Sequence, residues 1–437
     1  MRVNGDHVMP PDNPPPTQQT LTLQQALDLA VQHHTAGEFT QAESIYRQIL
    51  EAHPDQPQAL HLLGVIAHQR GENEQAVTLI EKALSIKSDY AEAHSNLGLV
   101  LQELGKLEGA ASSFREAVRI NPNSAEAHSN LGITLHTLGR LKEAGASHNT
   151  ALKLNPNYPE AYNNLGITQK ELGQLDEAVT SCQKAIEIRH DYPEAHYTLG
   201  LVFEELGQLE SAVAMYQKAL AFKPDYAEAY NNLGNILRVL SRPEEAIKSF
   251  QRALSLMPNF AEAHNNLGII FQEQGKGDQA IECYQKAAAL KPDYAGAIAN
   301  LGYVFMEIGE PDKAIASYNK ALEIDPKYAE VYNNLGDVYR ELGRIDEAIS
   351  SCEKALTIKP DYTEAHNDLG VSLMALGRFD ESIESYQKAL TFQPNYHGAH
   401  NNLGLVYAGL GMLDDAVSCL IKAIEFKPDY ADAHSNL

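Results

Sequence analysis

The chain has 437 residues, 44% of them apolar and 21% charged, an ordinary balance for a folding chain that excludes disorder for its bulk. Its 34 basic and 58 acidic side chains give a formal charge of −24, which speaks against nucleic acid and anionic membrane as partners because both call for clustered cations. There is no basic, apolar leader pattern and no run of the roughly 18 apolar residues that a membrane span needs, so the expected compartment is the cytoplasm.

Residues 1–22 hold five prolines and a polar run from Thr17 to Thr20, which reads as a mobile Pro-rich leader. From Gly64 onward a glycine recurs every 34 residues, at Gly98, Gly132, Gly166, Gly200, Gly234, Gly268, Gly302, Gly336, Gly370 and Gly404. The period defines twelve blocks, 23–56, 57–90, 91–124, 125–158, 159–192, 193–226, 227–260, 261–294, 295–328, 329–362, 363–396 and 397–430. Such periodicity predicts one array of stacked units rather than separate globular domains.

Within a block, apolar residues fall at steps of three and four, which predicts a helix. A second glycine seven residues after the first breaks that pattern, Ser241 being the one substitute, so each block is read as helix, turn, helix. Small residues such as Gly166, Ala178 and Ala185 mark where the two helices approach closely. Asp89 with Glu92, and likewise Asp191 with Glu194, Asp225 with Glu228 and Asp361 with Glu364, offer capping boxes for the first helices. Pro243 and Pro311 fit the first turn of the second helix. Cys182, Cys283, Cys352 and Cys419 are far apart in the chain and read as reduced core thiols.

These blocks resemble the tetratricopeptide repeat family, whose unit has a Leu-Gly pair in its first helix, alanines in its second and a proline at its end. Block 329–362 carries the pattern throughout, with Leu335-Gly336, Tyr339, Ala348, Ala355 and Pro360. The resemblance implies an all-α fold, a right-handed α-solenoid superhelix with partners docking on the concave wall of first helices. One departure is systematic: an early aromatic position often holds histidine, at His94, His128, His196, His264, His366 and His400. These lie at least one repeat apart in a slot expected to face the partner helix, so they read as structural residues rather than metal ligands.

Immediately before the Leu-Gly pairs stand Asn96, Asn130, Asn164, Asn232, Asn266, Asn300, Asn334 and Asn402, continued by Asn436 and interrupted by Thr198 and Asp368. A carboxamide both donates and accepts, so a row of them suits the main chain of an extended peptide. The row is similar to the asparagine ladder in the repeat arm of O-linked N-acetylglucosamine transferases, as in Ala91-Glu92-Ala93-His94-Ser95-Asn96-Leu97-Gly98. Asparagine is also common at this place in tetratricopeptide repeats of many functions, and the two readings stand side by side.

Further along the same face lie Glu103, Glu171, Glu205, Glu273, Glu307 and Glu341, with only Lys170, Arg238 and Arg340 at the adjacent position. The sequence therefore predicts a net acidic groove that favours extended, neutral to basic polypeptides. No phosphate loop, dinucleotide fingerprint, nucleophile elbow or zincin helix occurs, and no catalytic residue, cofactor or metal is expected. The first function read from these features is a non-catalytic interaction scaffold. The alternative is the substrate-recruiting arm of a glycosyltransferase whose catalytic domain lies beyond residue 437, since residues 431–437 read as the start of a cut-off thirteenth repeat.

Overall fold

The structure is a computed structural model that describes residues 21–437, and the expected leader lies outside these residues except for its last two. Thr22 caps the first helix, Leu23–Thr35, in a capping box with Gln25. The described residues form 25 helices and no strand. They fall into two compact units that divide between Met215 and Tyr216, and each is an all-α solenoid of paired helices stacked in chain order.

The pairing follows from local chemistry, as residues 261–294 show. Ala263, Leu267 and Ile270 bury one side of the first helix, Ala261–Glu273. Gly275 at φ +68° then ends it, because only glycine enters the left-handed region without strain. Its N–H and that of Lys276 turn back onto the carbonyls of Gln272 and Phe271, both at 2.8 Å, in a Schellman closure. The second helix, Gly277–Leu290, packs Ala280, Tyr284 and Ala287 against the first. Contact is close at Gly268, where a Cβ would stand 2.8 Å from the Tyr284 ring. The first glycine of the unit is thus a packing residue, and the second is a turn residue.

Within each unit the core is a series of clusters that bridge successive repeats. In the first, Ile80, Leu97, Val100, Phe114 and Leu131 form one cluster; in the second, Tyr318, Ala321, Val331, Leu335 and Val338 form another. The cysteines are free thiols, with Cys182, Cys283 and Cys352 buried and Cys419 only half-buried. Burial raises the Cys182 thiol to about 12 and that of Cys283 to about 11, far from a reactive thiolate. Pro243 and Pro311 each take the first turn of a second helix, as the sequence predicts.

One local expectation needs correction. Asp89, Asp191, Asp225 and Asp361 do not cap the first helices: tyrosine holds each N-cap, and none of these four ends has a side-chain cap bond. Packing decides the position, because the tyrosine ring lies under the preceding cation, Arg189 over Tyr192 at 3.7 Å and Lys223 over Tyr226 at 4.4 Å. The acidic side chains that follow, such as Glu92 and Glu194, still sit in the first turn, where the helix dipole favours them.

The histidine row also has a more specific role than filling a slot. His264 Nε2 reaches the carbonyl of Pro258 at 3.1 Å, His366 that of Pro360 at 2.9 Å and His400 that of Pro394 at 3.0 Å. His94, His128 and His196 reach the carbonyl six residues earlier in the same way. Each imidazole donates there and pins the loop entering its own helix. Burial lowers the pKa of His264, His366 and His400, which keeps that N–H on a neutral ring.

Candidate functional site

All eight ladder asparagines are half-buried on the first helices, and the residue before each rung decides what the rung can do. In the second unit that residue is a buried asparagine, at Asn231, Asn265, Asn333, Asn367 and Asn401. Asn300 Nδ2 donates to Asn265 Oδ1 at 3.1 Å, Asn265 Nδ2 to Asn266 Oδ1 at 3.4 Å, Asn266 Nδ2 to Asn231 Oδ1 at 3.1 Å, and Asn231 Nδ2 to Asn232 Oδ1 at 3.2 Å. The carboxamides therefore form a relay that zigzags between neighbouring first helices. Those helices touch along it, as Ala261–Glu273 does with Ala295–Glu307.

A second relay runs from Asn436 to Asn401 at 3.0 Å, on to Asn402 at 3.3 Å, to Asn367 at 3.0 Å and to Asp368 at 3.2 Å. Asp368 ends it, since a carboxylate only accepts. Asn333 Nδ2 also donates to this carboxylate, at 2.9 Å, which leaves the buried Oδ1 of Asn333 without a partner. Burial and the charge of Asp337 raise Asp368 to about 6, against the pull of its two amide donors and Arg340. Ala299 interrupts the pattern between the relays: it offers Asn334 no side-chain acceptor, and Asn334 instead meets the Tyr318 hydroxyl.

The first unit carries a looser version. Asn96 Nδ2 lies 2.8 Å from Nε2 of buried His61, whose Nδ1 lies 2.9 Å from the Tyr90 hydroxyl. The donating amide makes Nε2 the acceptor and leaves the ring proton on Nδ1. Burial pulls His61 down to about 4, so the ring stays neutral and this rung holds through ordinary pH. Asn130 and Asn164 accept at their backbone carbonyls from Thr134 and Thr168, both at 2.8 Å. Asn163, buried beside Asn164, keeps an unpartnered Oδ1 because Thr198 at the next rung turns its hydroxyl to the Glu194 carbonyl.

The six glutamates are exposed, and several of them meet a side chain of the preceding repeat. Glu273 pairs with Arg238 at 2.8 Å, Glu205 with Lys170 at 3.5 Å and Glu171 with His136 at 3.1 Å. Glu103 lies 3.7 Å from His68 and also accepts from Asn73. Each partner stands on the preceding repeat, so the pairs cross between repeats as the relay does. Arg340 has no such glutamate and bonds Asp337 on its own helix at 2.6 Å. Glu307 and Glu341 are the members that find no ion-pair partner among the described residues, because Gln272 and Met306 stand where a cation would be.

The missed residues leave a trace in the sequence. The doublets Asn231-Asn232, Asn265-Asn266 and Asn401-Asn402 are visible there, but the bonds join residues 35 apart and emerge only from the stacking register. No helix among the described residues is long and apolar enough to cross a membrane.

A family model described as TPR repeat matches residues 64–105, 100–139, 134–173, 170–207, 205–238, 302–340 and 372–411. Models described as tetratricopeptide repeat match 225–293, 329–362 and 397–430. Comparison with curated proteins gives no match. Among solved structures, the chain is similar in fold to the APC/C hetero-tetramer Cut9-Hcn1, at 15% identity over 95% of this chain and 96% of that one, with a TM-score of 0.51. It is similar to MamA at 31% identity over 38% of this chain and 96% of that one, with a TM-score of 0.35. It is similar to pilF of Pseudomonas aeruginosa at 24% identity over 47% and 94%, with a TM-score of 0.43. With its helix pairs, glycine turns and matched residues together, the chain belongs to the tetratricopeptide repeat family.

Proposed function

We propose that the chain is a protein–protein interaction scaffold that holds extended polypeptide along its first helices, on a wall lined in the first unit by Asn96, Asn130 and Asn164 and in the second by Asn232, Asn266, Asn300, Asn334 and Asn402. The observation that carries this reading is the arithmetic of a half-buried rung. A carboxamide has two N–H donors and two lone pairs. Asn266 commits one N–H to Asn231 and one lone pair to Asn265. The remaining donor and lone pair suit a peptide unit, which presents one of each, whatever its side chain. The relay fixes each amide before the ligand arrives, so little side-chain entropy is lost on binding.

Glu103, Glu171, Glu205, Glu273, Glu307 and Glu341 give the groove a residual negative bias, and the preferred segment is neutral to basic. No structural observation favours the second reading, the recruiting arm of a glycosyltransferase, over this one. The test is a selection from a random displayed dodecapeptide library, followed by calorimetry on the selected peptides with wild type and with Asn266, Asn300 and Asn402 changed to alanine. The scaffold reading expects peptides of unrelated sequence to lose at least about tenfold in affinity while helical content is kept, as a lost hydrogen bond or two implies. Undiminished binding by a folded alanine variant would remove the ladder from recognition.

A further inference from the structure

We propose that a cleft in the second unit receives an arginine side chain of the polypeptide held along the first helices, a proposal that rests on the groove reading above. The cleft has a volume of ≈ 250 Å³, and Tyr303, Glu307, Tyr318, Asn334, Asp337 and Glu341 line it. It is not a property of the repeat. Where Asp337 stands, most other blocks place an apolar residue, as with Leu99, Ile133, Ile167, Ile269 and Val371, one places Asn235, and the block just before places Tyr303. Tyr303 and Asp337 turn an apolar stripe into a phenol beside a carboxylate.

The charge there is unbalanced, in contrast to the rest of the glutamate row. Glu307 and Glu341 lack the crossing cation that Lys170 supplies to Glu205 and Arg238 to Glu273. Arg340, beside the cleft, donates to Asp337 at 2.6 Å and its charge also bears on Asp368. Its charge is thus directed to Asp337 and Asp368, and Glu307 and Glu341 have no ion-pair partner among the described residues. Tyr303 is 44% exposed and presents its ring to the groove rather than to the core.

The ladder is open at the same place. Ala299 takes away the acceptor that Asn265 gives to Asn300, so Asn334 stands outside the relay with only the Tyr318 hydroxyl beside it. A ligand here meets a carboxamide for its main chain, two unpaired carboxylates and a tyrosine face within one cleft. A planar guanidinium uses all three: it stacks on the ring, donates in a fork to the carboxylates and remains charged at any working pH.

The experiment uses the full chain and two fluorescein-labelled Ser-Gly dodecapeptides, one with a central arginine and one with citrulline, its neutral isostere. Anisotropy is read at low salt for wild type, for Glu307→Gln/Glu341→Gln, and for Glu81→Gln/Glu353→Gln, which removes the same charge from exposed places on second helices. The arginine peptide is expected to bind wild type and the control about tenfold more tightly than its citrulline twin, and the cleft variant by less than about twofold. Citrulline binding should be the same for all three proteins. Equal binding of the two peptides to wild type, or an arginine preference that survives in the cleft variant, overturns the subsite and leaves the groove reading standing. Binding of neither peptide overturns both.

Discussion

Asn266 donates its amide to Oδ1 of Asn231 at 3.1 Å, across to the preceding repeat. Asn300 does the same to Asn265, Asn402 to Asn367 and Asn436 to Asn401. The row that reads as a set of binding groups in the sequence is therefore also a set of fasteners. In a solenoid each repeat is stabilised by its neighbours, and a polar bond that recurs at several interfaces fixes the register in which apolar faces stack there. The two roles are compatible because a carboxamide has twice the hydrogen-bonding capacity that the relay consumes.

Asp368 breaks the rule and makes stability depend on pH. Its carboxyl is raised from 3.8 to about 6 in the folded chain, chiefly by burial and then by Asp337. The folded state binds this proton more tightly than the unfolded one. The group therefore contributes stability that is complete below about pH 4 and is lost as pH rises through 6, on the order of 3 kcal/mol. Asp368→Asn removes the charge, and an amide at that rung can donate to the orphaned Oδ1 of Asn333. Denaturant unfolding at pH 4.5 and 7.5 should show the variant gaining more over wild type at the higher pH. An equal difference at the two values would mean that Asp368 has its ordinary acidity.

Ser241 is the one non-glycine residue with positive φ among the described residues, at +58°, in a turn where the other repeats use glycine. Its N–H and that of Arg242 close the helix onto Arg238 and Leu237 at 3.0 and 2.8 Å, so the backbone has no freedom to relax. The strain of a side chain in this region is about 1 kcal/mol, partly offset because glycine loses more entropy on folding. Ser241→Gly should raise the urea midpoint by the equivalent of about 0.5–1 kcal/mol. A lower midpoint would show that the serine side chain supports the turn.

What the sequence revealed and what it hid divide along the distance over which residues interact. The 34-residue period, the helix pairs and the glycine turns depend on residues a few places apart, and helices such as Ala261–Glu273 and Gly277–Leu290 lie where the pattern predicts. Gly268 was legible as a close approach, though not that its neighbour is Tyr284. The capping aspartates failed because Tyr90 and its equivalents are held by packing, which moves the helix start one residue past Asp89. The ladder asparagines were legible as a row. Their partners were not, because Asn231 and Asn266 meet only once two repeats are stacked. The same holds for Arg238 with Glu273, which stand in neighbouring repeats and meet at 2.8 Å.

The central claim is that spare capacity on the half-buried asparagines grips the main chain of a bound segment. Calorimetry on a library-selected peptide, its scrambled version and a twin N-methylated at alternate residues separates main-chain from side-chain recognition. The account predicts that scrambling changes affinity by less than about threefold and that N-methylation, which removes the amide donors, weakens binding by tenfold or more. A methylated peptide that binds as well as its parent, alongside a scrambled one that does not bind, would contradict it.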